Sequence, residues 1–475
     1  MFTTRRVFDW QDQQRFAQAS CDSNPIHMDA TAARRTSSGA PIVHGIHSLL
    51  WLLDQFAAEN ISGKRVRSLR VQFPQPIYVG DEAALEISEI AEQQVRAKIS
   101  VRGEEVVSAL LGFEPMRRPV TLPQGTAQSL SPPAAPREIA FEQMSGLNGT
   151  LQFADTHTQL QAMFPDAARM FGISRVTALA YSSCVVGMIV PGLHSMYSGL
   201  ELELHDLPAS QPPAALRFAV LSVTPRFRLV RIGVEAEGIR GSLETISRLP
   251  PTQQASMQRV ADLVRPDEFA PSSALVIGGS RGLGELTAKM LAAGGAAVCI
   301  TYAAGSSDAR SVADSIIAAG GRCAIGSYDV RRPAREQFEA LQIAPTHVYY
   351  FATPPIFRRK AGLFDAQRFA EFNEFYVHGF YDLAHACVLG RTDGVRLFYP
   401  SSVAVDTRPA TMTEYSMSKA AGEILCADLT KYLPGVQIVT YRLPRLPTDQ
   451  TNSVVHAEAA DPATVLLPLL RQMHG

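Results

Sequence analysis

The sequence predicts a multidomain chain: two α+β units, each a helix wrapped by a curved antiparallel sheet, followed by an α/β unit built on a doubly wound parallel sheet. Three observations predict it. Two seams rich in Pro, Ser and Ala, residues 115–136 and 250–271, cut the chain into three pieces, because such composition disfavours continuous helix and central strand. An apolar helical stretch followed by an antiparallel meander occurs in the first piece and again in the second. The third piece opens on a buried strand, a glycine turn and a helix. A chain of 475 residues exceeds one core, and roughly 150 residues per domain also gives about three. The expected domains are 1–115, 137–249 and 272–475.

In the first piece, residues 45–56 have a helical apolar pattern, and Leu69, Val71 and Phe73 alternate with polar residues in a strand over 67–73. Further strands are expected at 84–90, 95–101 and 106–113. The second piece repeats the order, with an apolar stretch over 176–189, alternation of Leu200, Leu202 and Leu204, and strands near 216–223, 227–236 and 242–248. A helix wrapped in this way is the hot dog arrangement. One copy leaves an open sheet edge, and a double hot dog covers it by pairing two copies edge to edge. Two unrelated α+β domains sharing an element order remain the alternative, since residue identity between the copies is low.

Composition narrows the function. Hydrophobic residues at 46% and charged residues at 19% exclude wholesale disorder. Lys plus Arg (44) balance Asp plus Glu (45), so no net field attracts a polyanion and no nucleic-acid partner is expected. Cys21, Cys184, Cys299, Cys323, Cys387 and Cys426 lack C-x-x-C spacing. Neither a disulfide framework nor a metal site is expected, and a reducing compartment fits. The N-terminus MFTTRRVFDWQDQQ lacks the apolar core of a signal peptide. The most apolar run, CVVGMIVP, is far below the roughly 20 residues that cross a bilayer. The expectation is a cytoplasmic protein with no membrane partner.

Residues 20–29 read Ser-Cys-Asp-Ser-Asn-Pro-Ile-His-Met-Asp, and residues 42–45 read Ile-Val-His-Gly. Adding water across an α,β-unsaturated thioester requires a proton taken from water and another delivered to Cα, so a carboxylate and an imidazole must grip one water. Asp22 and His27 are the candidates. The developing enolate oxygen needs donors, and Gly45, opening an apolar helix, offers a backbone N–H with the helix dipole behind it. This part of the chain resembles the MaoC-like, R-specific enoyl-thioester hydratases, whose pattern is G-D-x-N-P-[hydrophobic]-H-x-D followed by a hydrophobic-H-G step. Cys21 stands where that pattern has Gly. Asp155 and His157 in the second copy do not reproduce the spacing. The resemblance therefore implies that the second copy is a non-catalytic partner that completes the fold and shapes the acyl tunnel. Double-hot-dog hydratases carry the motif in the second copy, whereas here it lies in the first.

The strand at 274–277 runs into Gly278-Gly-Ser280-Arg281-Gly282-Leu283-Gly284 and then a helical stretch over 285–293. Glycines permit the tight turn and bring backbone N–H groups to a pyrophosphate at a helix N-terminus. Downstream lie Asp329-Val330, Ser402 and Tyr415-Ser-Met-Ser-Lys419. The series resembles the short-chain dehydrogenase/reductases on a Rossmann-type doubly wound sheet. That resemblance implies catalysis by Ser402, Tyr415 and Lys419, and cofactor contacts from Gly278, Ser280, Arg281, Gly282, Leu283, Gly284, Asp329, Val330, Lys419 and Thr448. Tyr415 and Lys419, four apart, share a helical face, where the ammonium and a positive nicotinamide would lower the phenol pKa. Residues 298–303 offer no acid to a ribose 2′-hydroxyl, and Arg281 can pair with a 2′-phosphate, which favours NADP(H) over NAD(H).

Three departures from the family accompany this. Phe351-Ala352-Thr353-Pro354 replaces N-N-A-G, the Asn of the next helix aligns with Tyr376, and the last strand with its G-G ending is missing. An altered proton relay and loss of the common tetramer interface are the expectations. Together the resemblances imply a bifunctional enzyme, an NADPH-dependent 3-ketoacyl reductase joined to an R-specific enoyl hydratase/3-hydroxyacyl dehydratase, acting on an acyl-CoA or acyl carrier protein thioester in lipid, polyketide or related biosynthesis. Two alternatives stay open: a reductase whose hot-dog pair only binds substrate or carrier, and a non-enzymatic NADPH-binding scaffold. A homodimer is also open.

Overall fold

The computed structural model describes residues 2–59, 63–91, 93–116, 120–123, 127–206, 215–357, 362–452 and 459–475. Parts of the first Pro-rich seam, 117–119 and 124–126, lie outside these described residues. The chain forms two compact units that meet in sequence between Pro250 and Pro251.

The first unit contains both copies of the helix-and-meander pattern. Strands β1 (Phe2–Val7), β2 (Ser68–Gln72), β3 (Glu82–Ala91), β4 (Gln94–Val101) and β5 (Glu104–Gly112) belong to the first copy. β6 (Ser129–Leu130), β7 (Asn148–Gln152), β8 (Ser195–Leu204), β9 (Ala215–Thr224), β10 (Leu229–Ala236) and β11 (Ile239–Ser247) belong to the second. They make one eleven-stranded sheet in the order β1-β3-β4-β5-β2-β8-β11-β10-β9-β7-β6. The two copies join antiparallel at β2 and β8, where Val71 lies opposite Leu200. Reading outward from that seam, β2-β5-β4-β3 is matched by β8-β11-β10-β9. This is the double hot dog, and each copy caps the other's open edge.

Within the curve lie the Gly45–Ala58 helix and the Ile173–Cys184 helix, the latter prolonged by a π-helical turn, Val185–Ile189. Both helices are buried on nearly every side, so apolar residues surround them rather than forming a stripe. The N-terminal segment, read from sequence only as lacking a signal peptide, forms β1 and a Trp10–Ser20 helix capped by Asp9, whose carboxylate accepts the N–H of Asp12 at 2.8 Å.

In the second unit, β12 (Ser273–Ile277), β13 (Ala297–Tyr302), β14 (Arg322–Ser327), β15 (His347–Tyr350), β16 (Val395–Ser402) and β17 (Val436–Leu443) form a parallel sheet. Its order, β14-β13-β12-β15-β16-β17, reverses between β12 and β15, the switch point where such sheets bind nucleotides. Among the described residues no strand follows β17, and the Pro462–His474 helix packs its leucines on the core. The second Pro-rich seam departs from its reading as a linker. Residues 251–271 belong to this unit, and Val260, Val264 and Phe269 are buried in its core, with Phe269 so close to Gly294 that a Cβ there would lie 2.4 Å from the ring. Three well-spaced apolar anchors outweigh a composition that reads as loop.

Candidate active sites

In the hot-dog unit the chain leaves the Trp10–Ser20 helix through Cys21, which sits at φ 54, the left-handed conformation that the usual glycine adopts freely. Asn24 then caps the short Pro25–Met28 helix through its side-chain oxygen, with Pro25 in the first turn. Its side-chain nitrogen donates to the carbonyls of Gly187 (2.7 Å) and Gly192 (3.1 Å), so the second copy fixes the turn. That turn places Asp22 and His27 side by side.

His27 Nδ1 lies 2.8 Å from the Ile42 carbonyl, which can only accept, so Nδ1 carries the hydrogen and Nε2 keeps a lone pair. His44 Nε2 likewise donates to the Asp22 carbonyl at 2.9 Å, and its ring stacks on His27 at 3.9 Å. One ligating atom each from Asp22, His27 and His44 all fall within 4.8 Å of one another, close enough for one water to touch both Asp22 and His27. Burial raises the Asp22 carboxyl pKa, against the opposing pull of His27, Ser183 and the Asn24 N–H. Burial also lowers His27, which keeps it neutral. The Gly45–Ala58 helix has no side-chain cap, and a Cβ on Gly45 would press 3.2 Å from the Phe73 ring. The cleft, about 710 Å³ including its open mouth, is lined by Asp22, His27, Gly45 and Phe73 from the first copy and by Ser183 and Tyr197 from the second.

Sequence reasoning missed the second copy's direct hold on the carboxylate. Ser183 donates to Asp22 Oδ2 at 2.7 Å, and Gly187 is bare because a Cβ there would lie 2.3 Å from Asp22 Oδ1. The signal in the sequence is a Ser-Ser pair and a Gly within an otherwise apolar helix. Asp155 and His157 do not line the cleft.

In the second unit, Ser402 ends β16, and Tyr415 and Lys419 share the Thr413–Tyr432 helix. Ser402 acts on the Tyr415 phenol in favour of its ionised form. The expectation is that Lys419 together with a positive nicotinamide lowers Tyr415; in the chain by itself burial raises the phenol pKa, and Ser402 is the group that opposes this. Lys419 points elsewhere. Its Nζ donates to the Pro400 carbonyl at 2.7 Å and sits 3.7 Å from the centre of the Tyr376 ring, against 5.9 Å for the Tyr415 ring. Burial brings Lys419 down to about 7. Tyr376, where the family has Asn, is carried on a π-helical turn, Glu374–His378, and its hydroxyl meets Thr353 Oγ1 at 2.5 Å.

The glycine turn suits a dinucleotide. Gly278 and Gly282 have φ of +77° and +57°, and a Cβ on Gly284 would lie 2.3 Å from the Gly278 carbonyl. No side chain caps the Gly282–Ala293 helix, so the turn between Ser280 and Leu283 presents bare backbone and a helix N-terminus to a pyrophosphate. The flanking groups are paired within the protein. Arg281 forms an ion pair with Asp449. Asp329 is held in a fork by Arg331, at 3.0 and 2.8 Å, and lies below the usual carboxylate range for that reason. Val330 is buried in the core, and Thr448 Cγ2 approaches to 3.9 Å of where a Gly282 Cβ would stand.

A hot-dog sheet with a buried carboxylate–imidazole pair, in one chain with a Rossmann-type sheet carrying Ser, Tyr and Lys, defines a hydratase-type unit fused to a reductase-type unit. Comparison with known proteins agrees. Residues 3–109 match the MaoC like domain and residues 272–457 match the short chain dehydrogenase. The chain thus carries a MaoC-like domain in its N-terminal region and a short-chain dehydrogenase domain in its C-terminal region, the latter implying a nicotinamide cofactor. It is 29% identical over 97 residues to the mitochondrial 3-hydroxyacyl-[acyl-carrier-protein] dehydratase of Arabidopsis thaliana, a match spanning 20% of this chain and 58% of that protein. An uncharacterized oxidoreductase of Methylorubrum extorquens is 29% identical over 156 residues, 31% of this chain and 61% of its own length. The (R)-specific enoyl-CoA hydratase of Aeromonas caviae is 34% identical over 91 residues, 18% of this chain and 67% of its own.

Proposed function

We propose that the protein is a bifunctional acyl-thioester enzyme, an NADPH-dependent 3-ketoacyl reductase and an R-specific enoyl hydratase/3-hydroxyacyl dehydratase. The observation that carries this reading is the close pairing of Asp22 and His27 on one cleft, in the same chain as Ser402, Tyr415 and Lys419. The two chemistries meet at one compound, the R-3-hydroxyacyl thioester. The names of the Arabidopsis and Aeromonas relatives support acyl thioesters, on acyl carrier protein or on CoA.

In the hydration direction, His27 Nε2 accepts a proton from the water as its oxygen adds to Cβ. Asp22, whose burial favours the protonated form, delivers a proton to Cα, and the proton on His27 then restores Asp22. The Gly45 N–H stabilises the enolate oxygen. In the reductase unit, Ser402 holds the substrate carbonyl, Tyr415 gives its phenolic proton to the new alkoxide, and Lys419 would hold the nicotinamide ribose. The bare turn from Gly278 to Gly284 would hold the pyrophosphate, and Arg281 a 2′-phosphate. Nicotinamide, when bound, supplies the hydride.

The reading places the protein in a reducing cytoplasm, supported by six cysteines without C-x-x-C spacing. Among the described residues no single helix is long and apolar enough to cross a membrane. The test uses the full chain with crotonyl thioester and with a panel of 3-ketoacyl thioesters plus NADPH. Hydration that Asp22→Asn abolishes, together with NADPH oxidation that Tyr415→Phe abolishes, is the expected result. Reduction without hydration would leave the hot-dog pair as a binding module, and neither activity would leave a scaffold.

A further inference from the structure

Arg281 is the one cation inside the glycine turn, and its guanidinium is taken by Asp449. Asp449 is no loose surface acid. Its side chain is 9% exposed, and its second carboxylate oxygen accepts the Thr252 N–H at 2.8 Å. The segment on either side is tied down as well. Gln254 donates to the Pro447 carbonyl at 3.2 Å, Thr448 rests beside Gly282, and Gln450 both accepts the Ile356 N–H at 2.7 Å and donates to the Pro354 carbonyl at 3.3 Å. Residues 447–450 therefore form a strap that presents a carboxylate to the same guanidinium a 2′-phosphate would need.

A carboxylate and a phosphate bind guanidinium with the same two-pronged geometry, and they repel each other. We infer that Asp449 is a specificity-determining residue, an internal competitor that occupies the 2′-phosphate seat on Arg281 and so sets how strongly the protein prefers NADP(H) to NAD(H). The inference rests on the reductase reading above. A 2′-phosphorylated nucleotide must take Arg281 from Asp449, whereas one without the phosphate leaves the pair intact. The strap thus subtracts from NADP(H) affinity and leaves NAD(H) affinity alone.

The test measures binding rather than turnover. Full-length protein is titrated by calorimetry with 2′,5′-ADP and with ADP, then with NADPH and NADH. Asp449→Asn removes the charge but keeps an oxygen for the Thr252 N–H, and Asp449→Ser serves if that variant fails to fold. The expected result is that either variant tightens 2′,5′-ADP and NADPH about tenfold, leaves ADP and NADH within about twofold, and loses the gain when combined with Arg281→Ala. Equal changes for phosphorylated and unphosphorylated nucleotides, no change at all, or a gain that survives Arg281→Ala would overturn the inference while leaving the reductase reading in place. Failure of the wild type to bind either dinucleotide would overturn both.

Discussion

The two sites bury titratable groups in opposite ways. In the hot-dog cleft the two candidate side chains are held by groups behind them: the Ile42 carbonyl for His27, and Ser183 and the Asn24 N–H for Asp22. Both line the cleft. In the Rossmann unit the corresponding groups are paired with one another, Arg281 with Asp449, Asp329 with Arg331, and Lys419 with the Tyr376 ring. The first site is arranged for chemistry in advance. In the second, the side chains proposed to meet the nucleotide have internal partners, and the Asp449 inference turns on whether the ligand must displace one of them.

The separation of the two sites is broken or sharpened most strongly by removing one acid at a time. Asp22→Asn should slow hydration by roughly 10²- to 10⁴-fold and leave ketoacyl reduction within about twofold, and Tyr415→Phe should do the reverse. Loss of both activities in either variant would show that the sites are not independent. A smaller but still large effect is expected from Gly187→Ala, whose new Cβ would lie 2.3 Å from Asp22 Oδ1. It should displace the carboxylate, lower hydration, and cost the first unit about 1–3 kcal/mol in thermal unfolding.

Ser183→Ala removes a buried hydrogen bond to the Asp22 carboxyl, worth about 0.5–1.5 kcal/mol. Because Ser183 favours ionised Asp22, its loss should also raise the carboxyl further, moving the pH profile of hydration upward, a shift that a merely structural serine would not give. The smallest effect concerns pH and stability. His47 is fully buried against Phe16 and Phe8 and its pKa is pushed well below the ordinary value, first by burial and then by Arg6. Below the unfolded pKa of about 6.5 the unfolded chain binds the proton and the folded chain does not, so stability is lost as pH falls, at up to about 1.4 kcal/mol per unit for this one residue. His47→Phe should flatten the acid side of the melting-temperature profile by that share.

How much of this was legible in the sequence follows from how local each feature is. Asp22, Asn24, His27 and Gly45 could be read because the motif is nearly continuous, and the glycine turn because strand, turn and helix follow in order. Ser183 could not, since its partner is 161 residues away and its helix reads simply as apolar. Asp449 was hidden for the same reason, inside a Pro- and Thr-rich stretch with no periodicity. β1 was missed because FTTRRV buries only every second residue, and those only partly. The seam at 251–271 was misjudged because Pro and Gln outnumber the three residues that anchor it. The position of Lys419 was legible only in part, because sequence placed it on the right helical face without showing that its ammonium would sit on the Tyr376 ring.

One stereochemical measurement bears most directly on the claim that both units serve a common compound. Purified protein is offered R- and S-3-hydroxybutyryl thioesters separately, with enoyl thioester formation followed in one channel and NADP⁺ reduction in the other. The account predicts that the R isomer is consumed in both channels and the S isomer in neither. Consumption of opposite isomers by the two units would contradict it.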